Sequence, residues 1–284
     1  MKTLYIECNM GAAGDMLMAA LLEVCPDPEV FVKKLNDLQL PKVTYKSEKA
    51  VKCGVTGTSM SVLIDGKEEE SKDVYAHHHE HTGLAEHSHE HHHAHADSKE
   101  HVHEYHGEHN HHHGSHTSMD EITTMIKNLN LPDRIKQDAI AVYHLIAEAE
   151  GHVHGKPVEE IHFHEVGTMD AVADVAGVCY LLHELAPEQI ITSPIHVGTG
   201  QVHCAHGILP VPAPATAYLL RGVPIYSGEI YGELCTPTGA ALLKYFSTRF
   251  GSMPMMNVDK IGYGMGKKDF EAANCVRVML GESL

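Results

Sequence analysis

Residues 77–116 cannot add to a hydrophobic core, and that limits what the rest of the chain can build. Eighteen of these forty residues are histidine, interleaved with Glu, Ser, Gly and Asn, and apolar side chains are almost absent. Such a segment buries too little surface to offset the entropy of ordering it, so disorder is predicted there. Its place in mid-chain, and its mixed composition, mark it as native rather than a purification tag. The other 244 residues suffice for a sizeable core. Lengthening a connection from about 4 to about 40 residues costs only about 2 kcal/mol of loop-closure entropy, so a fold can tolerate the insertion without using it. The expected organisation is one main α/β domain, with mixed α+β as the alternative. An N-terminal part (1–66) and a C-terminal part (118–284) flank a disordered His-rich metal-binding insertion (67–117).

Charge and cysteine usage narrow the function class. The formal net charge is −17 with no basic stripe, which argues against nucleic acid as a partner. The seven cysteines are scattered without a CxxC pair, against a zinc ribbon or a dithiol motif and in keeping with a reducing compartment. The opening MKTLYIECNMGAAGD lacks the apolar core of a signal peptide, and no apolar run reaches membrane-spanning length. A cytoplasmic protein without membrane contact is expected.

Along the chain, strands and helices alternate. TLYIEC reads as a strand, NMGAAGD as a turn and DMLMAALLEV as a helix; a second helix stops before Pro41. VTYKSEKAV and TSMSVLI read as a hairpin. Order resumes at a capping box, Ser118 with Glu121, and a longer helix runs from Pro132 at its first turn to Gly151 after its last. IHFHEVG is a short extended piece, followed by a helix with Thr168 as N-cap. QIITSPIHVGTG is a strand entering a loop, VPIYSGEI a strand, and TPTGAALLKYF a helix led in by Thr236 and Pro237. GYGMGKK is a glycine loop, and NCVRVML a closing strand.

Chemistry concentrates in residues 162–174. In an extended segment His162 and His164 share one face, opposite Ile161 and Phe163, with Glu165 following at the turn. Asp170 and Asp174, four apart on the next helix, lie on one face near its positive end. Two imidazoles and three carboxylates suit a borderline divalent metal; the competing reading is a half-exposed strand and a capped helix start. Asp15 and the glycines of NMGAAGD, Gly11 and Gly14, form either a site for a cation or hydroxyl or a capped tight turn, since no GxxxxGK lysine is present. Thr236, Thr238 and Gly239 of TPTG, and Gly264, Gly266 and Lys267 of GYGMGKK, are candidate anion cradles, or tight connections only. His203 and His206, with His196, are metal-ligand or proton-transfer candidates on a proline-rich loop. The insertion offers clusters at His77, His78 and His79, at His91, His92 and His93, and at His111, His112 and His113.

NMGAAGDM, HFHEVGTMDAVAD, SPIHVGTGQV with HGILPVPAPAT, ELCTPTGAALL and GYGMGKKDF, in this order, resemble the LarC family of nickel insertion proteins. The resemblance spans nearly all of the chain outside the insertion. It implies insertion of nickel into pyridinium-3,5-bisthiocarboxylic acid mononucleotide, the cyclometallation that yields the nickel-pincer cofactor of lactate racemase. His162, His164, Glu165, Asp170 and Asp174 would then be catalytic, and Gly11, Gly14, Asp15, Thr236, Thr238, Gly239, Gly264, Gly266 and Lys267 would bind substrate. His164, Asp170, His203, His206 and the insertion histidines would bind metal. It further implies CTP with Mn or Mg, held mainly by a C-terminal segment that full-length members carry beyond the point where this chain stops. Implied partners are that segment, lactate racemase apoprotein as recipient, and further copies of the complete protein in a homo-oligomer. Two other readings are a nickel storage or metallochaperone protein without catalysis, which leaves the motifs outside the insertion unexplained, and a metal-dependent hydrolase, which has no need of the insertion.

Overall fold

In the computed structural model, the described residues are 1–68, 117–163, 166–204 and 206–284. The histidine clusters of the insertion, with His164 and Glu165, lie outside them. In chain order the elements are β1 (Lys2–Glu7), α1 (Gly14–Val24), α2 (Pro28–Asn36), β2 (Val43–Lys52), β3 (Val55–Ile64), β4 (Lys67–Glu68), β5 (Thr117–Ser118), α3 (Met119–Asn128) and α4 (Asp133–His154). Then come β6 (His162–Phe163), α5 (Met169–Leu185), β7 (Gln189–Thr192), β8 (Ile195–His196), β9 (Gly198–Thr199), β10 (Gln201–Cys204), β11 (Gly207–Pro210) and α6 (Pro214–Leu219). The last are β12 (Ile225–Tyr226), β13 (Gly232–Glu233), α7 (Pro237–Phe246), β14 (Arg249–Phe250), β15 (Met256–Met265) and β16 (Cys275–Ser283).

One mixed sheet organises the fold, in the order β14-β7-β1-β16-β15-β3-β2, with β4 paired to β3. β1, β7 and β14 run parallel, while β16 joins β1 to β15 by antiparallel ladders. The fold is mixed α/β, as the alternation of patterns implies. Helix α1 is apolar nearly all round and is buried accordingly, packed on β15, β3 and β16 with α5 against it. Beyond α5 lies α4, which also packs on α3, α6 and α7. Leu4, Leu17, Met18, Tyr143 and Phe163 are among the largest side chains in this core.

Three readings of the elements change. The segment expected as a glycine loop, 262–268, is mostly the end of β15, because Gly262 and Gly264 alternate onto one face and let the strand lie flush on α1. A Cβ on Gly264 would stand 1.9 Å from the Met16 carbonyl oxygen, and one on Gly262 would stand 2.2 Å from that of Ala20. The α4 helix does not end at Gly151, which is buried within it where the returning chain comes close (Lys156 N–H donates to Gly151 O, 2.9 Å). It ends at Gly155, left-handed at φ 63°. Third, the expected loop after β7 is a run of two- to four-residue strands, β8 to β11.

Candidate functional site

Parallel strands β1 and β7 deliver their carboxyl ends to the same edge of the sheet, the position where open α/β sheets place ligands. Three of the sequence motifs are tied together there by backbone hydrogen bonds. His196 N–H donates to Cys8 O (3.1 Å), Ala12 N–H to Leu234 O (3.0 Å) and Thr236 N–H to Ala12 O (3.0 Å). Gly11 and Gly239 are small because backbone passes next to them: added Cβ atoms would fall 2.0 Å from Leu234 O and 2.2 Å from Ala12 O. Thr236 caps α7, its hydroxyl accepting from Gly239 N–H at 3.2 Å, and Thr238 is buried in the first turn. His196 is 6 % exposed; its Nδ1–H donates to Asn9 O at 2.9 Å and its Nε2 has no partner among the described residues.

Adjacent to this knot, the N-terminal ends of α1 and α5 bring three carboxylates together. Gly14 makes the approach possible, since a Cβ there would lie 2.6 Å from both Cβ and Oδ2 of Asp174. Asp15, Asp170 and Asp174 act on one another electrostatically, and Lys267, just past β15, acts on Asp15 and Asp174. Burial, then Asp15 and Asp170, pushes the Asp174 carboxyl well above the usual carboxylate range. Burial also raises Asp15, against the pull of Lys267. Asp174 Oδ1 is buried without a hydrogen-bond partner among the described residues. Asp170 is better satisfied, its Oδ1 accepting from the Thr168 hydroxyl and from Ala171 N–H (2.8 Å). Two buried tyrosines brace this end of α5: Tyr143 OH donates to Val166 O (3.1 Å) and Tyr45 OH to Ala173 O (2.9 Å).

Asp15 is neither the N-cap of α1, a position held by Ala13, nor isolated. Thr168 holds the N-cap position of α5 but gives its hydroxyl to Asp170 instead of a backbone N–H. Gly266 packs on Asn274. Lys267 forms an ion pair with Glu68 (2.9 Å), a residue composition alone assigns to the insertion but which strand β4 places at the site. That pairing spans about two hundred residues, so no local pattern could have shown it.

His162 is exposed while Ile161 and Phe163 are buried, the alternation expected of an extended segment. Its strand pairs with β5, and it adds to the hold that Ser118 hydrogen bonds exert on the Glu121 carboxylate. His203 is exposed on β10, and His206 stands in the β10–β11 turn against His154. Among the described residues no three His, Cys, Asp or Glu side chains stand ready as a metal shell. Chemically, the carboxylate cluster offers oxygen ligands to a divalent cation, and its orphaned Asp174 oxygen is what such an ion would satisfy. The buried Cys8 and Cys235 thiols are raised by burial and are poor thiolate donors.

A family model described as "Nickel insertion protein" matches residues 4–284. The chain is 36% identical over 282 residues to a Staphylococcus epidermidis protein named pyridinium-3,5-bisthiocarboxylic acid mononucleotide nickel insertion protein, covering 99% of this chain and 60% of the relative. Proteins of the same name from Geobacillus kaustophilus (36% over 283 residues; 99% and 60%) and Clostridium kluyveri (38% over 286 residues; 99% and 62%) are similar to it. The chain thus spans about 60% of the length of these curated relatives. No solved structure matches it significantly. No helix among the described residues is long and apolar enough to cross a membrane.

Proposed function

The chain belongs to the nickel insertion protein family, and from that premise we propose that it carries the nickel-handling part of an enzyme that inserts nickel into pyridinium-3,5-bisthiocarboxylic acid mononucleotide. The observation that carries this reading is the group Asp15, Asp170 and Asp174 at two helix starts, with Lys267 beside it.

Nickel is the cargo. The carboxylates receive it, and Asp174, which holds its proton more tightly than an ordinary carboxyl, gives that proton up as the ion arrives. Lys267 faces the anionic groups of the mononucleotide. When the nickel–carbon bond forms, the ring C–H bond breaks, its electron pair becomes the new bond, and the proton passes to a carboxylate of the cluster. The proposed catalytic set is His162, His164, Glu165, Asp170 and Asp174; the histidines of residues 77–116 concentrate nickel in a soluble, cytoplasmic protein. Formation of the nickel-pincer cofactor for lactate racemase, dependence on CTP with Mn or Mg, and homo-oligomerisation belong to the same proposal.

Two of the candidate anion cradles are taken up by the fold itself. There is no GxxxxGK loop, the Thr236 hydroxyl is engaged in its own cap, and Gly264 faces α1. We place CTP on the further C-terminal segment that the resemblance implies.

The test is activation of lactate racemase apoprotein by purified chain, precursor, nickel and CTP, with and without such a segment. Activation that needs both the chain and nickel is expected. Activation by the segment alone would refute the proposal.

A further inference from the structure

Because α4 continues past Gly151, Glu150 and His154 stand four residues apart on one helix face. Glu150 Oε2 lies 3.3 Å from His154 Nε2. The turn between β10 and β11 brings His206 onto the same place: the His154 and His206 ring centres are 4.8 Å apart, with planes at 52°. His152 is differently occupied, its ring 4.3 Å from that of Tyr218.

A neutral imidazole has one N–H and one lone pair. A carboxylate 3.3 Å from Nε2 of His154 favours the tautomer with its proton there and the lone pair on Nδ1, which is how proteins commonly fix a metal-bound histidine. The spacing of the rings agrees. An ion about 2.1 Å from a ring nitrogen lies about 3.2 Å from that ring's centre, so two rings at right angles around it have centres about 4.5 Å apart. Imidazole nitrogen also suits nickel-like ions better than the oxygen-only cluster at α1 and α5 does.

We propose that His154 and His206 form a two-imidazole site for a divalent transition ion, with Glu150 as the positioning residue that sets the His154 tautomer. The identity of the ion as nickel rests on the reading above; the site itself does not. An ion held by only these two imidazoles among the described residues exchanges readily, as suits transit to the carboxylate cluster rather than storage.

Histidine acylation by diethyl pyrocarbonate, mapped by peptide mass spectrometry on the full 284-residue chain, reads each imidazole separately. It is run with and without Ni2+ at concentrations that saturate the insertion. Nickel is expected to protect His154 and His206 together and to leave the exposed His144 and His183 unchanged. His154→Ala should abolish protection at His206, and His206→Ala protection at His154, each checked by melting temperature. Glu150→Gln should raise the nickel concentration for half-protection by roughly 10–100-fold. Equal acylation with and without nickel, or protection of one ring that survives loss of the other, overturns the site. Protection in a preparation that supports no nickel insertion even when the further segment, precursor and CTP are supplied would instead count against the proposed function and leave the site standing.

Discussion

Asp174 is a buried carboxyl whose ionisation the fold opposes. Its carboxyl is raised well above the usual range, by burial first and then by Asp15 and Asp170. A group that holds its proton more tightly when folded stabilises the fold fully below the ordinary carboxylate range, near about pH 4. It loses that contribution as pH rises through its folded value. Asp174→Asn keeps the shape and removes the ionisable group. At neutral pH it should melt higher than the wild type, by about 2–4 °C for each kcal/mol relieved, and the gap should close as pH falls toward 4. Saturating nickel should raise the wild-type melting temperature by more than that of the variant, which keeps only the His154–His206 site, and the variant should fail to support nickel insertion. A variant that melts lower at neutral pH would show that the carboxylate is a structural cap. Gly14→Ala tests the same contact sterically. Its methyl would enter the space of the Asp174 side chain, so a loss of about 1–3 kcal/mol is expected in denaturant unfolding.

Elements show why some glycines in the sequence were misleading. Gly262 and Gly264 look like a phosphate loop because loops and close-packed strands both need residues without a Cβ. What separates them is the partner, and helix α1 is more than two hundred residues away in sequence. Gly264→Ala would push a methyl into the Met16 carbonyl, a backbone group that cannot turn aside as a flexible side chain could. It should therefore destabilise more than an exposed Gly-to-Ala change, by at least about 1–3 kcal/mol, with an earlier unfolding midpoint as the readout. Gly151 misleads in the same way: local chemistry marks it as a helix stop, yet the helix continues and carries His154 into reach of Glu150 and His206. By contrast, the capping box of α3 was legible. Ser118 Oγ accepts from Glu121 N–H at 3.3 Å and Glu121 Oε2 accepts from Ser118 N–H at 2.7 Å, interactions that span only three residues. Ser118→Ala should cost about 1 kcal/mol in thermal unfolding.

For the molecule as a whole, the core forms from segments on either side of residues 77–116. β1 lies between β7 and β16, and β3 joins β15. Deleting 77–116 should accordingly leave a cooperative melt. The nickel bound per chain at equilibrium dialysis should drop sharply, and insertion activity at saturating nickel should persist. Loss of the melt would show that the insertion takes part in folding. Periodicity, caps and composition by themselves determined the alternating strands and helices, and they picked out the histidine-rich stretch and the acidic and imidazole residues as candidates for metal. All of these are properties of windows of a few residues to a few tens, within reach of local pattern. Only the tertiary structure decided which of them meet. It joined Asp15 to Asp174 through Gly14, Glu68 to Lys267 through β4, and His206 to His154 through the full length of α4. Such contacts depend on close packing between distant segments, and close packing is set by the shapes of both partners, which no single stretch of sequence contains.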